Sequence, residues 1–241
     1  MIQHRNALLL DEMLTGLGLE ATKLQKSQLL RYVDLLLDGL TKQRLTGENT
    51  AETLIGKQLY DSLYPLTLFN FQAGSKILDL GSGGGLPGIP LSILVENSCF
   101  YLMDANKRKI IFLHEAAAAL GLINLFTLEG RAEKWGQCGD YRESFDYVLV
   151  KAVSEMAVIA ELGLPMVRLG GQLLLYKGPR GKEEADAAVK AIAKCGGKLE
   201  NVWHYSLPSG ESRSFYKLMK IALTPQQYPR ADGKPAHKPL R

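Results

Sequence analysis

Lys76-Ile77-Leu78-Asp79-Leu80-Gly81-Ser82-Gly83-Gly84-Gly85-Leu86-Pro87-Gly88-Ile89-Pro90 reads as a short buried strand, an acidic residue, a glycine cluster and an apolar segment that could start a helix. A strand emptying into a glycine turn and a helix N-terminus is how α/β proteins hold nucleotide-like cofactors. The turn has no side chains to keep a ligand away, and free backbone N–H groups point at it.

Working outward, residues 1 to about 70 read as helical. Thr22-Lys23-Leu24-Gln25 fits a capping box. Behind it Leu29, Val33, Leu36, Leu37 and Leu40 share one face at helical spacing, and Thr50-Ala51-Glu52-Thr53 opens a further helix. After the glycine turn, the helix over Ile89–Val95 is followed by alternating segments. The strands are Phe100–Met103, Leu125–Leu128, Phe145–Val150 and Gln172–Tyr176; the helices are Arg108–Ala119, Met156–Met166 and Lys182–Ala193. Strands alternating with helices predict a mostly parallel sheet covered on both faces. Leu199–Ser206 and Phe215–Ile221, joined through a Pro-Ser-Gly turn, predict an antiparallel edge. Residues 224–241 carry four prolines and several basic residues, which predicts an extended or mobile tail suited to phosphates. The expected organisation is a helical extension over 1–70, an α/β domain over 71–223 and a basic tail over 224–241.

Composition bounds the class. At 241 residues, 46% hydrophobic and 22% charged, the chain is long enough to bury a core and ordinary for a globular protein. A net charge of +4 is compatible with a nucleic-acid partner without requiring one. Cys99, Cys138 and Cys195 are odd in number and far apart, so neither a zinc site nor a disulfide framework is expected. The N-terminal apolar run Ala7–Leu10 soon meets Asp11 and Glu12, and no run approaches membrane-spanning length; the expectation is a cytoplasmic protein without membrane or metal partners.

The glycine stretch carries two overlapping patterns. Gly83 to Gly88 fits the dinucleotide fingerprint G-x-G-x-x-G, whereas Asp79 to Gly85 fits D-x-G-x-G-x-G, seen in S-adenosylmethionine-dependent methyltransferases. Position decides between them. The dinucleotide form should follow the strand at once, yet counting from Gly81 puts Leu86 where its third glycine belongs. A carboxylate at Asp79 would repel a pyrophosphate but could act through hydrogen bonds near a cationic cofactor. Asp104 ends the next strand a little over twenty residues after Gly81, where a carboxylate accepts hydrogen bonds from ribose hydroxyls. Arg131-Ala132-Glu133 follows strand three, where an adenine edge could meet backbone groups, and strand four ends at Lys151-Ala152. All lie at carboxyl ends of strands, the ligand-binding end of open α/β sheets.

Leu78 to Leu91 closely resembles the bacterial 16S rRNA (guanine-N7) methyltransferase family, also called glucose-inhibited division protein B. Leu45-Thr46, Asp61-Ser62, Asp104 with Lys107-Arg108, Gly130 to Glu133 and Tyr228-Pro229-Arg230 match it too, so the resemblance spans nearly the whole chain. It implies a class I S-adenosylmethionine-dependent methyltransferase fold, Rossmann-like, with a helical N-terminal extension. It implies that Gly81, Gly83, Leu86, Asp104, Ala105, Asn106, Ala132, Glu133 and Lys151 hold S-adenosylmethionine. It implies as substrate a decoding-region loop of 16S rRNA, free or in a small-subunit precursor. The chain departs from the family pattern at Arg44 (usually Asn), Gln58 (usually His) and Lys151 (usually Arg). Lysine keeps the charge but loses the planar fork for a bidentate contact.

Guanine N7 has an in-plane lone pair and no proton to lose, so its methylation needs no general base, and no catalytic base is assigned. The chain lacks an Asn-Pro-Pro-Tyr-like motif after strand four, against adenine-amine methylation, and lacks a Pro-Cys motif, against cytosine-carbon methylation. Lys57, Arg108, Lys177, Arg180, Lys182 and Arg213 are candidate phosphate contacts, with Lys177-Gly178-Pro179-Arg180-Gly181-Lys182 expected beside the cofactor. The alternatives are a cofactor-binding RNA or ribosome assembly factor without activity, a small-molecule methyltransferase, and a nicotinamide-dependent oxidoreductase.

Overall fold

A computed structural model describes residues 2–240. The described residues form a seven-stranded sheet in the order β3-β2-β1-β4-β5-β7-β6. The strands are β1 (Lys76–Leu80), β2 (Cys99–Asp104), β3 (Leu125–Glu129), β4 (Phe145–Lys151), β5 (Val167–Lys177), β6 (Gly197–Ser206) and β7 (Ser212–Lys220). β1 to β5 are mutually parallel and the closing pair is antiparallel, as the sequence pattern predicts; the structure adds that β7 inserts between β5 and β6. The order reverses between β1 and β4, which opens a crevice at their carboxyl ends.

The strands bury both faces, and their residues alternate between two cores. Ile77, Phe100, Leu102, Tyr147, Leu149, Leu174 and Tyr176 join a cluster under the N-terminal helices. Leu78, Leu80, Met103, Val148, Val150, Leu173 and Leu175 join the opposite cluster under α8 (Met156–Gly163) and α9 (Gly181–Lys194).

The N-terminal helices α1 (Ile2–Gly16) and α2 (Lys23–Leu40) supply Leu10, Leu14, Leu29, Tyr32, Val33 and Leu36 to the first cluster, so this part shares its core with the sheet. α2 starts at the predicted capping box, with the Gln25 N–H donating to Thr22 Oγ1 at 3.2 Å and the Thr22 N–H to Gln25 Oε1 at 2.9 Å. Thr50 caps a composite helical segment: α3 (Ala51–Thr53), a π-helical stretch Leu54–Leu59, α4 (Tyr60–Leu63) and a 3₁₀ turn Tyr64–Thr67. The glycine turn feeds α5 (Gly88–Leu94), Asn106 caps α6 (Lys107–Leu120), and β3 leads to the short α7 (Ala132–Trp135).

The C-terminal tail departs from expectation. Through Leu240 it is a docked strap that includes the short α10 (Lys234–His237), not an extended or mobile segment. Arg142, with its guanidinium aimed at the chain, donates to the carbonyls of Gly136, Thr224, Pro225 and Tyr228 at 2.7–3.2 Å. Arg230 grips Glu161 with two hydrogen bonds of 2.8 and 2.6 Å, and Tyr228 and Leu240 enter the second cluster. The prolines limit backbone freedom, but these long-range partners cannot be read from local composition.

Candidate active site

The carboxyl ends of β1 to β4 meet around a cavity of about 400 Å3 lined by the 80–81, 103–105, 130–133 and 152–154 segments. Gly81 leaves β1 at φ +78°, and a Cβ there would come within 2.6 Å of Val153 Cγ2 on the opposite wall. Only glycine keeps that entrance both unstrained and open.

Asp104 ends β2 with its side chain 12% exposed. Its Oδ2 accepts from the Gly83 N–H at 3.0 Å and its Oδ1 from the Asn106 N–H at 2.9 Å; Lys109 Nζ stands 3.7 Å away. The glycine turn and the start of α6 thus fix the carboxylate. A carboxylate has about four lone-pair sites, so acceptor capacity remains for a ligand hydroxyl. Glu133 is buried on the facing side. Its Oε1 accepts from the Gly233 N–H at 2.9 Å and from Arg131 at 2.9 Å. Burial alone would raise its pKa. The hydrogen bonds from Gly233, its own backbone and Arg131 outweigh burial and hold it below the usual carboxylate range.

Of the predicted cofactor residues, Gly81, Asp104, Ala105, Ala132 and Glu133 line this cavity. Three others stand behind it. Gly83 holds Asp104, Leu86 packs in the first hydrophobic cluster, and Asn106 caps α6 by accepting from the Arg108 N–H at 2.9 Å. Asp79 is placed differently from the sequence reading. It is 1% exposed, off the cavity, and its Oδ2 accepts from the Gly88 N–H at 2.9 Å, which caps α5. Burial pushes its pKa up to about 7, opposed by the Gly88 hydrogen bond and the Lys151 charge, and its Oδ1 has no hydrogen-bond partner. The acidic residue of the glycine motif organises the turn from below.

Lys151 lines a neighbouring cavity of about 380 Å3, which shares Ala152 and Ser154 with the first. Gln58, Asp61, Tyr176, Lys177, Glu184 and Arg213 line it too. The Lys151 ammonium donates to Asp61 Oδ2 at 3.0 Å and Ser62 Oγ at 3.2 Å, and the Tyr205 hydroxyl donates to Asp61 Oδ1 at 2.5 Å. This network joins the helical extension to β4 and β6, and the π-helical stretch carries Gln58 to the cavity. Between the two cavities, Ala152 sits at φ +58°, a left-handed conformation that costs a non-glycine residue about 1–2 kcal/mol. Strain held at such a junction is characteristic of working sites.

The predicted cations divide. Lys177 is buried and committed to Glu184 at 2.7 Å and the Ser154 carbonyl at 2.7 Å, so its charge faces a carboxylate rather than solvent. Lys57 pairs with Glu211 at 2.6 Å. Arg180 and Lys182 are exposed at the start of α9. Arg108 lies on a separate groove between α2 and α6, with Lys42 and Gln43. The sequence reading missed Met103, Lys109, Val153, Val158, Leu162 and Ala236 as cavity-lining residues. Val158, Leu162 and Ala236 come from α8 and the strap, whose packing over the crevice has no short-range signal.

Residues 25–214 match the GidB family profile, described as rRNA small subunit methyltransferase G. The chain is 40% identical over 225 residues to the ribosomal RNA small subunit methyltransferase G of Deinococcus radiodurans, covering 93% of this chain and 88% of that one. It is 39% identical to the protein of the same name from Lachnoclostridium phytofermentans, covering 94% of each. Among solved structures, it is similar to M. jannaschii TYW2 in complex with AdoMet (TM-score 0.55, 14% identity, 76% of this chain and 80% of that one). The fibrillarin/Nop5p complex gives a TM-score of 0.54 at 15% identity, covering 69% and 84%. At these identities the two structures speak for the fold.

Proposed function

The chain belongs to the rRNA small subunit methyltransferase G family, and we propose that it methylates N7 of a guanine in 16S rRNA, free or within a small-subunit particle. It is an S-adenosylmethionine-dependent rRNA methyltransferase with a class I fold. The observation that carries the finer reading is the pair of adjoining cavities. One is edged by a fixed ribose-binding type of carboxylate, and the other opens from the same Ala152–Ser154 segment.

The cofactor fits the residues present. A volume of about 400 Å3 lies within the range of small-ligand sites, Asp104 keeps free acceptor capacity, and Gly81 clears the entrance. In this reading Asp104 binds the ribose hydroxyls, Ala105, Ala132 and Glu133 border the adenine, and Gly81 lets the chain approach the methionine portion. When bound, S-adenosylmethionine supplies a methyl group on a cationic sulfur, open to direct displacement.

The protein's own residues then have an orienting task. N7 presents a lone pair and carries no proton, so no side chain has to act as a base. Alignment alone is worth roughly 7–11 kcal/mol in well-oriented systems. The second cavity, braced by the Lys151–Asp61 and Lys177–Glu184 pairs, receives the base, and Ala152 and Ser154 border both reactants. N7 faces the deep, narrow groove of an A-form helix, so the reading requires an unpaired or opened guanine. Arg180, Lys182 and Arg213 are the exposed or cavity-edge cations suited to phosphates beside that entrance. Among the described residues no helix is long and apolar enough to cross a membrane, and the ribosomal substrate supports a cytoplasmic location.

The test is methyl incorporation from labelled S-adenosylmethionine into purified 16S rRNA, small ribosomal particles and large-subunit RNA. Label confined to 16S rRNA in the first two is expected. Saturable cofactor binding without incorporation into any of them would refute the enzyme reading and favour an assembly factor.

A further inference from the structure

The last seventeen described residues are bound into the protein at points that converge on the cofactor cavity. Thr224, Pro225 and Tyr228 give their carbonyls to Arg142, and Gln137 Nε2 donates to the Gln226 and Pro229 carbonyls at 3.0 and 2.9 Å. Arg230 then reaches down to Glu161, a carboxylate with no exposed surface, and spans back to the Lys238 carbonyl at 2.7 Å. The Gly233 N–H donates to Glu133, and Asp232 stands 3.5 Å from Arg131. Pro235 and Leu240 are buried on either side of an exposed Ala236, and Ala236 lines the cavity with Arg131, Ala132 and Glu133.

From this arrangement we infer that the C-terminal strap is a working wall of the nucleoside site, with Ala236 limiting the space over the adenosyl base and Gly233 holding Glu133 in place. A strap that served stability alone would need its buried anchors, Tyr228, Arg230 and Leu240, but no contact with a cavity wall. Here the anchors hold a small residue at the cavity surface, and one hydrogen bond ties the strap to a carboxylate that lines it. The glycine at 233 is required by geometry, because it sits at φ +76° just before the turn of α10. A small side chain at 236 leaves room for a planar ligand between the strap and Gly130–Ala132. Gly233 and Ala236 are therefore positioning residues for an adenosyl ligand.

The inference rests on the reading that this cavity takes S-adenosylmethionine, and the experiment separates the two. S-adenosylhomocysteine is titrated calorimetrically into the full chain, into Ala236→Trp and into Ala231→Trp, an exposed strap position off the cavity lining. The expected result is at least a tenfold weaker Kd for Ala236→Trp, an unchanged Kd for Ala231→Trp, and the same ligand-free Tm for all three. Hydrogen exchange on the unmodified chain is the second measurement, with slower exchange of the 230–237 amides on adding the ligand expected. Wild-type affinity in Ala236→Trp, or exchange in 230–237 indifferent to a bound ligand, overturns the strap's role and leaves the function standing. Failure of the unmodified chain to bind S-adenosylhomocysteine overturns both.

Discussion

Replacing Asp104 by alanine tests the nucleoside site at the point where geometry gives the clearest magnitude. The carboxylate already accepts from Gly83 and Asn106, at 3.0 and 2.9 Å, one bond on each oxygen. About two of its four lone-pair sites remain. If each accepts from a ribose hydroxyl, the ligand gains two hydrogen bonds to a charged group, at about 1.5–3 kcal/mol apiece. Alanine removes both and also releases the Gly83 turn. A loss of about 3 kcal/mol or more is expected, which is a rise of at least about a hundredfold in Kd for S-adenosylhomocysteine. Calorimetric titration reads it directly, with thermal unfolding of the ligand-free variant as the control for folding. Arg180→Ala, an exposed residue off this cavity, should leave the affinity unchanged. An Asp104→Ala protein that folds and binds within threefold of the parent would refute the ribose assignment. A larger loss in Arg180→Ala than in Asp104→Ala would contradict the placing of the site.

Asp79 carries a pH signature. Its pKa stands at about 7 in the folded chain against about 4 for an ordinary carboxyl, so the folded state holds the proton more tightly. Its contribution is fully present below pH 4 and is lost as pH rises through 7, by roughly 4 kcal/mol from three pKa units. Asp79→Asn, measured by urea unfolding from pH 4.5 to 8, should therefore gain stability relative to the parent as pH rises; parallel curves would rule this out. Asp61→Ala leaves Lys151, 10% exposed, without its counter-ion and should cost about 3 kcal/mol, toward the low end for a broken buried pair because Ser62 and the Gln58 carbonyl remain as partners. Adding Lys151→Met should recover part of that loss, and additive costs in a double-mutant cycle would show the pair to be uncoupled. Gly81→Ala places a Cβ at φ +78° against Val153 and should cost about 1–2 kcal/mol of stability while reducing S-adenosylhomocysteine affinity; tight binding in this variant would place the ligand elsewhere.

Much of this fold is local in origin. The Thr22 capping box, the alternation of buried strands with helices and the antiparallel final pair are all set by neighbours in sequence, and most strands and long helices fall within about three residues of the pattern, β5 starting five residues earlier at Val167. The cavity residues contributed by strand ends were legible for the same reason. Gly81 follows β1, Asp104 ends β2 and Ala132–Glu133 come just after β3, and parallel strands bring these ends together. Asp79 was legible as important but not in its role, because whether a carboxylate at a strand tip faces a ligand or a helix N-terminus depends on the side of the sheet it points to. Lys151 was carried by resemblance into the cofactor site, whereas its partner Asp61, ninety residues earlier in the chain, draws it into the neighbouring cavity. The docking of the strap was not legible, although Tyr228-Pro229-Arg230 within it matches the family pattern. Its proline-rich, basic composition resembles that of mobile tails, and the Arg142, Glu161 and Glu133 partners that dock it are distant in sequence.

The central claim is transfer of a methyl group to guanine N7 in 16S rRNA from a cofactor held at Asp104. The direct measurement is to incubate the full chain with S-adenosylmethionine and small-subunit RNA or particles, then locate N7-methylguanine by reduction and aniline cleavage of the RNA. A single modified guanine in 16S rRNA, absent when Asp104→Ala replaces the parent, is the predicted result. Methylation at another atom or base, or undiminished N7 methylation by Asp104→Ala, would contradict it.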